Sequence, residues 1–196
     1  MKNILFLTAL LGFTTTQAQK FDNSIKIIQN NLIEVVASEN ATIKLNKSPF
    51  QLQFDNKFYN SKKEHHNATQ IAFLNPNEES VMIEEGMPLS LIPYFESGSG
   101  FSADEDGGYS TVIINNYGHH YLYYENEQDH RIDLVSKNKG IGTFQWNIDR
   151  FYYNDRDMPI TKFPLQKLKM VVVTDFNQNN KIDENELRII TIEFQK

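Results

Sequence analysis

The stretch Phe50-Gln51-Leu52-Gln53-Phe54 decides the fold class, because its apolar and amide residues alternate strictly. Successive side chains of a β-strand point to opposite faces, so one face of this segment carries three large apolar groups and the other carries two amides. Residues 143–148 repeat the pattern, with Phe144, Trp146 and Ile148 on one face. Both segments predict strands of a sheet that is buried on one side.

Further short runs of β-branched and aromatic residues, bounded by Asn, Gly, Asp or Pro, continue along the chain. Residues 170–173 are apolar at every position, which is typical of a central strand covered on both faces. Many short strands separated by turn signals favour a mainly β fold, and we predict an antiparallel β-sandwich of the jelly-roll or Greek-key type. The other predicted strands lie at residues 42–45, 71–74, 81–83, 89–95, 111–114, 119–124, 132–135 and 188–194.

Residues 22–38 fit two different structures. Several apolar residues of this segment fall at helical spacing behind Asp22, which could cap a helix. The same residues also fit two strands that turn at Asn30-Asn31. We favour the strands because Ile and Val, which prefer extended backbone, dominate the segment.

Composition excludes several classes of protein. The 196 residues are 40% hydrophobic and 22% charged, which describes an ordinary globular chain and not a disordered or polytopic membrane protein. The absence of Cys excludes disulfides, thiol nucleophiles and thiolate zinc sites. The net charge of −6 argues against nucleic acid as a partner, because nucleic acid needs a cationic face.

Residues 1–18 have the three parts of a secretory signal peptide. Lys2 gives a cationic start, residues 4–13 are almost wholly apolar, and the segment ends in small residues at Ala18. The apolar run of roughly 10 residues is too short to span a bilayer of ~30 Å as a helix. We therefore predict cleavage near Ala18, no transmembrane segment in the mature protein, and a single β-sandwich domain over residues 19–196. This organisation indicates a secreted or periplasmic protein of bacterial type.

Residues 175–186 carry oxygen-bearing side chains at regular intervals near the C-terminus. Counted from the first residue of the segment, they occupy positions 1, 3, 5, 9 and 12, and the aliphatic Ile182 lies at position 8. A hard divalent cation takes six to eight oxygen ligands, and this spacing can supply them from one continuous loop. The side chains concerned are those of Asp175, Asn177, Asn179, Asp183 and Glu186.

This twelve-residue stretch resembles the calcium loops of EF-hand and dockerin-type proteins; no family resemblance extends to the rest of the chain. The resemblance implies that the backbone carbonyl of Lys181 and both carboxylate oxygens of Glu186 join the other side chains around a structural calcium ion. Asn180 replaces the usual Gly at position 6, and the flanking residues predict strands instead of helices. The alternative is a solvated Asn/Asp turn without a metal, since these residues are common in turns.

Aromatic residues are concentrated in the middle of the chain, and Tyr121, Tyr123, Trp146 and Tyr152 are the candidates for ligand contacts. Exposed rings beside Asn, Gln and Asp would suit a sugar, because flat rings stack on sugar faces while amides bond hydroxyls. The same rings would serve as anchors in a protein interface. The alternative is cross-strand aromatic pairing, which stabilises sheets without any ligand.

No pattern in the sequence indicates an enzyme: Gly-x-Ser-x-Gly is absent, and no triad order is convincing. The leading interpretation is a non-catalytic binding domain for a protein partner, such as an envelope inhibitor or adhesion domain. A carbohydrate-binding module is the second interpretation, and a small hydrolase is the third.

Overall fold

The computed structural model describes residues 25–59, 69–74, 82–93, 95, 101–104, 109–110, 132–153 and 156–195. The predicted signal peptide at residues 1–18, the predicted strands at residues 111–114 and 119–124, and the candidate ligand residues Tyr121 and Tyr123 lie outside these residues. In chain order the strands are β1 (Ile25–Gln29), β2 (Leu32–Val36), β3 (Asn40–Asn46), β4 (Phe50–Tyr59), β5 (Thr69–Leu74), β6 (Ser102–Asp104), β7 (Tyr109–Ser110), β8 (Ile132–Asn138), β9 (Ile141–Ile148), β10 (Arg150–Tyr153), β11 (Arg156–Pro159), β12 (Lys167–Thr174) and β13 (Leu187–Gln195).

The first sheet has five antiparallel strands in the order β2-β1-β4-β9-β8. Strands β1 and β2 confirm the two-strand interpretation of residues 22–38. Their turn residues Asn30 and Asn31 have φ angles of 52° and 65°, which is the conformation of a two-residue type I′ hairpin. The short strands β6 and β7 extend this sheet, and β6 runs parallel to the end of β4.

The second sheet has four strands in the order β3-β13-β12-β5. Strands β12 and β5 are antiparallel to their neighbours, but β3 runs parallel to β13. The prediction of a wholly antiparallel fold is therefore wrong at this edge. The two strands come from opposite ends of the described chain, so no hairpin turn dictates their relative direction.

The two sheets pack face to face in a sandwich-like arrangement, and the alternating segments behave as predicted. Phe54 and Phe144 of the first sheet are buried between the sheets. Gln53, Gln145 and Asn147, which point to the other face, are partly exposed. Phe73 of β5 reaches across the layers, with its ring centroid 6.4 Å from that of Trp146. The main core therefore lies between the sheets.

A second, smaller core covers the other face of the second sheet. It joins Val171 and Val173 of β12 to Leu89, Ile92 and other apolar residues of the segment 82–95. This cover explains why residues 170–173 are buried at every position, as the sequence predicted for a central strand.

Three predicted local structures differ from the observed ones. Met82 and Ile83 of the strand predicted at residues 81–83 do not belong to any strand. Residues 89–95 do not form a strand: Leu89–Leu91 is a turn of 3-10 helix, with Leu89 buried and Leu91 exposed. The strand predicted at residues 132–135 is longer than expected: β8 continues to Asn138, and only Lys139 and Gly140 form the turn before β9. None of the described residues forms a helix that is long and apolar enough to cross a membrane.

Candidate functional site

The segment 175–186 connects β12 directly to β13, and its backbone is organised around the buried carboxylate of Asp175. One oxygen of this carboxylate accepts the backbone N–H of Asn179 at 3.2 Å, and the other accepts that of Asn180 at 2.9 Å. Asn180 has a φ of 59°, the left-handed conformation that Asn tolerates better than most residues. Asn therefore fits position 6 of this loop, where the EF-hand and dockerin-type loops that it resembles usually carry Gly.

Glu186 closes the loop from its other end. Its carboxylate accepts the backbone N–H of Phe176 at 2.9 Å and that of Asp183 at 2.9 Å. Burial raises the pKa of Glu186 above its ordinary value of 4.5; the two backbone N–H groups oppose this shift, and the charges of Asp175 and Asp183 add to it. The loop thus holds a buried carboxylate close to two other carboxylates.

Asp183 lies between the amide side chains of Asn177 and Asn179. Both amides donate to its Oδ2, the second at 2.7 Å. The side-chain oxygens of the same two Asn residues accept backbone N–H groups farther along the loop, at 3.0 and 2.8 Å. Among the described residues, no group of three or more His, Cys, Asp or Glu side chains is arranged to hold a metal ion.

The second half of the loop is attached to the segment 82–93. Ile182 is fully buried in the second core, as its position 8 predicts. Its backbone N–H donates to the carbonyl of Met87 at 2.9 Å, and its carbonyl accepts the N–H of Gly86 at 2.7 Å. Lys181, the predicted carbonyl ligand, forms a β-bridge with Pro88. The loop therefore links the C-terminal hairpin to the layer that covers the second sheet.

The predicted aromatic ligand site is not formed by Trp146. This residue is 2% exposed and packs in the main core, because the alternation of β9 turns it toward the second sheet. Its ring is not available to stack on a ligand. Tyr152 lies in β10, where the structure describes its backbone but not its side chain.

The outer face of the first sheet is lined by polar side chains on β4 and β9. Gln53 donates to Gln145 at 2.8 Å, and Asn147 donates to Asp133 at 3.1 Å, so the polar contacts run from β4 to β8. At one end of this face lies a shallow cleft of about 230 Å³, whose lining includes Ile28, Pro49, Gln51, Asn147 and Asp149. The face offers hydrogen-bonding groups, and the cleft adds a small apolar margin.

The exposed apolar edge that strand β2 forms is the feature that sequence reasoning missed. It forms one edge of the first sheet, and Leu32, Ile33 and Val35 are 74%, 59% and 58% exposed. Natural proteins usually protect such edges with charges, Pro or bulges. The signal was present in the sequence: residues 32–36 contain one charged residue, Glu34, and neither Lys nor Pro. What the sequence could not show is that, among the described strands, β2 pairs on one side only.

Neither a protein-family model nor a curated protein or solved structure matches this chain. Functional inference therefore depends on the loop, the polar face and the exposed edge of this molecule.

Proposed function

We propose that this protein is a non-catalytic binding domain, secreted or periplasmic, whose ligand is another protein. The observation that carries the proposal is the exposed apolar edge formed by Leu32, Ile33 and Val35 of β2. Exposed apolar side chains on an edge strand mark either an interaction surface or an aggregation site. A partner that covers the edge would prevent aggregation there. The signal-like residues 1–18 support an address outside the cytoplasm.

We further propose that a calcium ion stabilises the connection between β12 and β13. Its ligands would be the side chains of Asp175, Asn177, Asn179, Asp183 and Glu186, with the carbonyl of Lys181. Two observations support the fit. The carboxylates of Asp175 and Glu186 are buried and are held by backbone N–H groups of the same loop. Asn180 supplies the left-handed turn that this type of loop requires.

A bound cation would also offset the negative charge of the three carboxylates in the loop. Glu186 is buried near two other carboxylates, and its raised pKa reflects the cost of keeping it ionised there. The amide groups of Asn177 and Asn179 would have to rotate by about 180° for their oxygens to become ligands, and contacts with the ion would then replace the two backbone N–H bonds that these oxygens accept. The role of the ion would be structural, because the flanking elements are strands and no helix pair is present to open.

The binding proposal is tested by site-specific photo-crosslinking of the full chain in its native host. A photoreactive residue replaces Val35 on the β2 edge, and a matched control replaces Val135, which is 51% exposed on the opposite edge strand β8. The expected result is a protein adduct at position 35 that is absent at position 135 and is competed away by excess unmodified protein. Equal labelling at both positions, or no competed adduct at position 35, contradicts the proposal.

A carbohydrate ligand is the second candidate, and the polar cleft beside Gln51, Asn147 and Asp149 favours it. Amide and carboxylate groups at the margin of a shallow cleft can bond several sugar hydroxyls at once. Glycan-array binding that is lost in Asn147→Ala but retained in Val35→Lys would support this candidate over a protein partner.

A further inference from the structure

The β1–β2 hairpin determines which backbone groups of β2 point away from the sheet. In a two-residue type I′ hairpin, the residues next to the turn form a hydrogen-bonded pair, and such pairs then alternate along the ladder. Gln29 faces Leu32, Ile27 faces Glu34, and Ile25 faces Val36. The N–H and C=O groups of these β2 residues therefore point toward β1, and those of Ile33 and Val35 point outward.

The outward groups of Ile33 and Val35 make no ladder bonds with any described residue, because β2 pairs with β1 alone among the described strands. The side chains of both residues are exposed on the outer face of the sheet. An extended segment laid against β2 would thus meet two donors, two acceptors and a row of apolar side chains. This combination selects a β-strand as the occupant.

The opposite edge strand, β8, also exposes Leu134 and Val135, but it has features that discourage strand addition and that β2 lacks. Strand β8 carries Asp133 and Lys137, and its pairing with β9 is interrupted by a register shift between Leu134 and Ser136. Charges and bulges of this kind discourage edge-to-edge pairing. Strand β2 has a continuous register with β1 and a single charged side chain, Glu34. The difference between the two edges indicates that β2 is the docking edge.

Charge argues against a second copy of this chain as the occupant. In the antiparallel pairing of two β2 strands that uses all five residues, Leu32 faces Val36, Ile33 faces Val35, and Glu34 faces Glu34. Like charges directly opposite each other are destabilising in a sheet, and each copy also carries a net charge of −6.

The contact area is small for any strand added to β2, so the charge opposite Glu34 decides between the possible occupants. A five-residue strand presents an edge ~17 Å long and ~10 Å thick, far below the roughly 1,200–2,000 Å² that stable protein interfaces bury in total. Strand pairing between two copies would have too little area to overcome the repulsion. A partner with a basic residue opposite Glu34 turns this repulsion into attraction.

We infer that β2 binds an extended segment of a partner protein by antiparallel strand addition, with apolar β-branched residues facing Ile33 and Val35 and a Lys or Arg opposite Glu34. The inference rests on the proposed protein-binding function and specifies how that function is performed. It predicts a short linear motif in the partner, because one added strand of about five residues completes the edge.

The test is a selection of displayed nine-residue random peptides on the immobilised full chain, followed by binding measurements with the enriched peptides. The expected peptides alternate β-branched residues and share a Lys or Arg at one position. Ile33→Pro removes an outward N–H without removing a β1–β2 hydrogen bond, so binding should fall about tenfold. Val135→Lys on the opposite edge should leave binding unchanged.

Glu34→Lys keeps the strand and reverses its charge, so selection on this variant should exchange the shared basic residue for Asp or Glu. The thermal melt of each variant shows whether the fold survives, and this charge exchange tests the inference even if Ile33→Pro unfolds. Failure to enrich alternating peptides, unchanged binding to a folded Ile33→Pro, or the same shared residue with Glu34→Lys would each overturn strand addition. If one of these results is obtained but the photo-crosslinked adduct at position 35 is still competed away by unmodified protein, the proposed binding function is retained and only binding by strand addition is excluded.

Discussion

Glu186 accepts the backbone N–H of Asp183, three residues earlier, at 2.9 Å, and this bond places two carboxylates close together at the entrance to β13. The same side chain also accepts the N–H of Phe176 at the start of the loop. One buried carboxylate therefore holds both ends of a twelve-residue connection. The stability of the loop should therefore depend on the charge of Glu186 and on any cation bound beside it.

Calcium should stabilise the protein through this loop. At free calcium about tenfold above the dissociation constant, binding contributes about 1.4 kcal/mol and raises the Tm by roughly 3–6 °C. Differential scanning calorimetry with calcium and with chelator measures the shift. Glu186→Gln and Asp175→Asn should abolish it, whereas Glu184→Gln, which alters an exposed carboxylate outside the ligand positions, should preserve it. A shift that survives the first two substitutions would exclude the loop as the calcium site.

The pH dependence of metal-free protein should report the raised pKa of Glu186. Because the folded-state pKa lies above its ordinary value of 4.5, the native state binds the proton more tightly than the unfolded state does. The contribution of this group to the free energy of unfolding is therefore greatest below pH 4.5, and it decreases as the pH rises through the folded-state pKa. Urea unfolding in chelator at a series of pH values measures the effect. Glu186→Gln should flatten the dependence in this range, and an unchanged profile in that variant would assign it to another group.

Gly142→Ala should destabilise the protein by about 1–3 kcal/mol, because the added methyl group overlaps two aromatic rings. A Cβ at this position would lie 2.7 Å from a ring carbon of Phe144 and 2.8 Å from Phe58. Chemical unfolding gives the cost, and Phe58→Leu in the same chain should reduce it. Gly140→Ala is the control, since a Cβ there meets no atom within 4 Å but the φ of +79° imposes backbone strain of about 1 kcal/mol. Equal costs at the two positions would show that the rings move aside.

Thr69→Val should cost about 1–3 kcal/mol by leaving a buried amide without its partner. Thr69 Oγ1 donates to Asn56 Oδ1 at 3.2 Å and lies 3.2 Å from Thr174 Oγ1, so the contact joins the two sheets across their interface. Asn56 Nδ2 is itself without a hydrogen-bond partner among the described residues. Thr143→Val, which removes a bond to Asp55 on the outer face of the sheet, should cost less. A smaller loss of stability for Thr69→Val than for this control would contradict the predicted role.

Much of the first sheet could be predicted from local sequence. The alternation around Leu52 and Trp146 fixed which side chains enter the core, and Asn30-Asn31 supplied the left-handed residues that a two-residue hairpin needs. The residues of the C-terminal loop could likewise be identified from the sequence, because Asp175 and Glu186 lie within one short segment and their spacing limits their separation in space. The same alternation predicts that Trp146 is buried. This conflicts with the sequence-based hypothesis that its ring contacts a ligand, and the structure confirms the burial.

Other features depend on contacts between distant segments. The cover over β12 comes from residues 82–95, whose apolar run looks like a strand locally but forms a bend with a 3-10 turn at Leu89. Its conformation is determined by where Ile182 and the second sheet place their apolar surface. The local sequence pattern of residues 82–95 contains no information on where that apolar surface lies.

The sequence by itself determined the β class, the two faces of each alternating strand and the spacing of the oxygen-bearing side chains in the C-terminal loop, since all three depend on backbone periodicity or on spacing within one segment. Tertiary structure decided that β3 runs parallel to β13 and that β2 lies at an edge. Strand order depends on which long-range pairing buries the most apolar surface and satisfies the most backbone groups. That balance is set by the whole chain at once, so the exposure of Ile33 and Val35 emerges only when every other strand has found its neighbour.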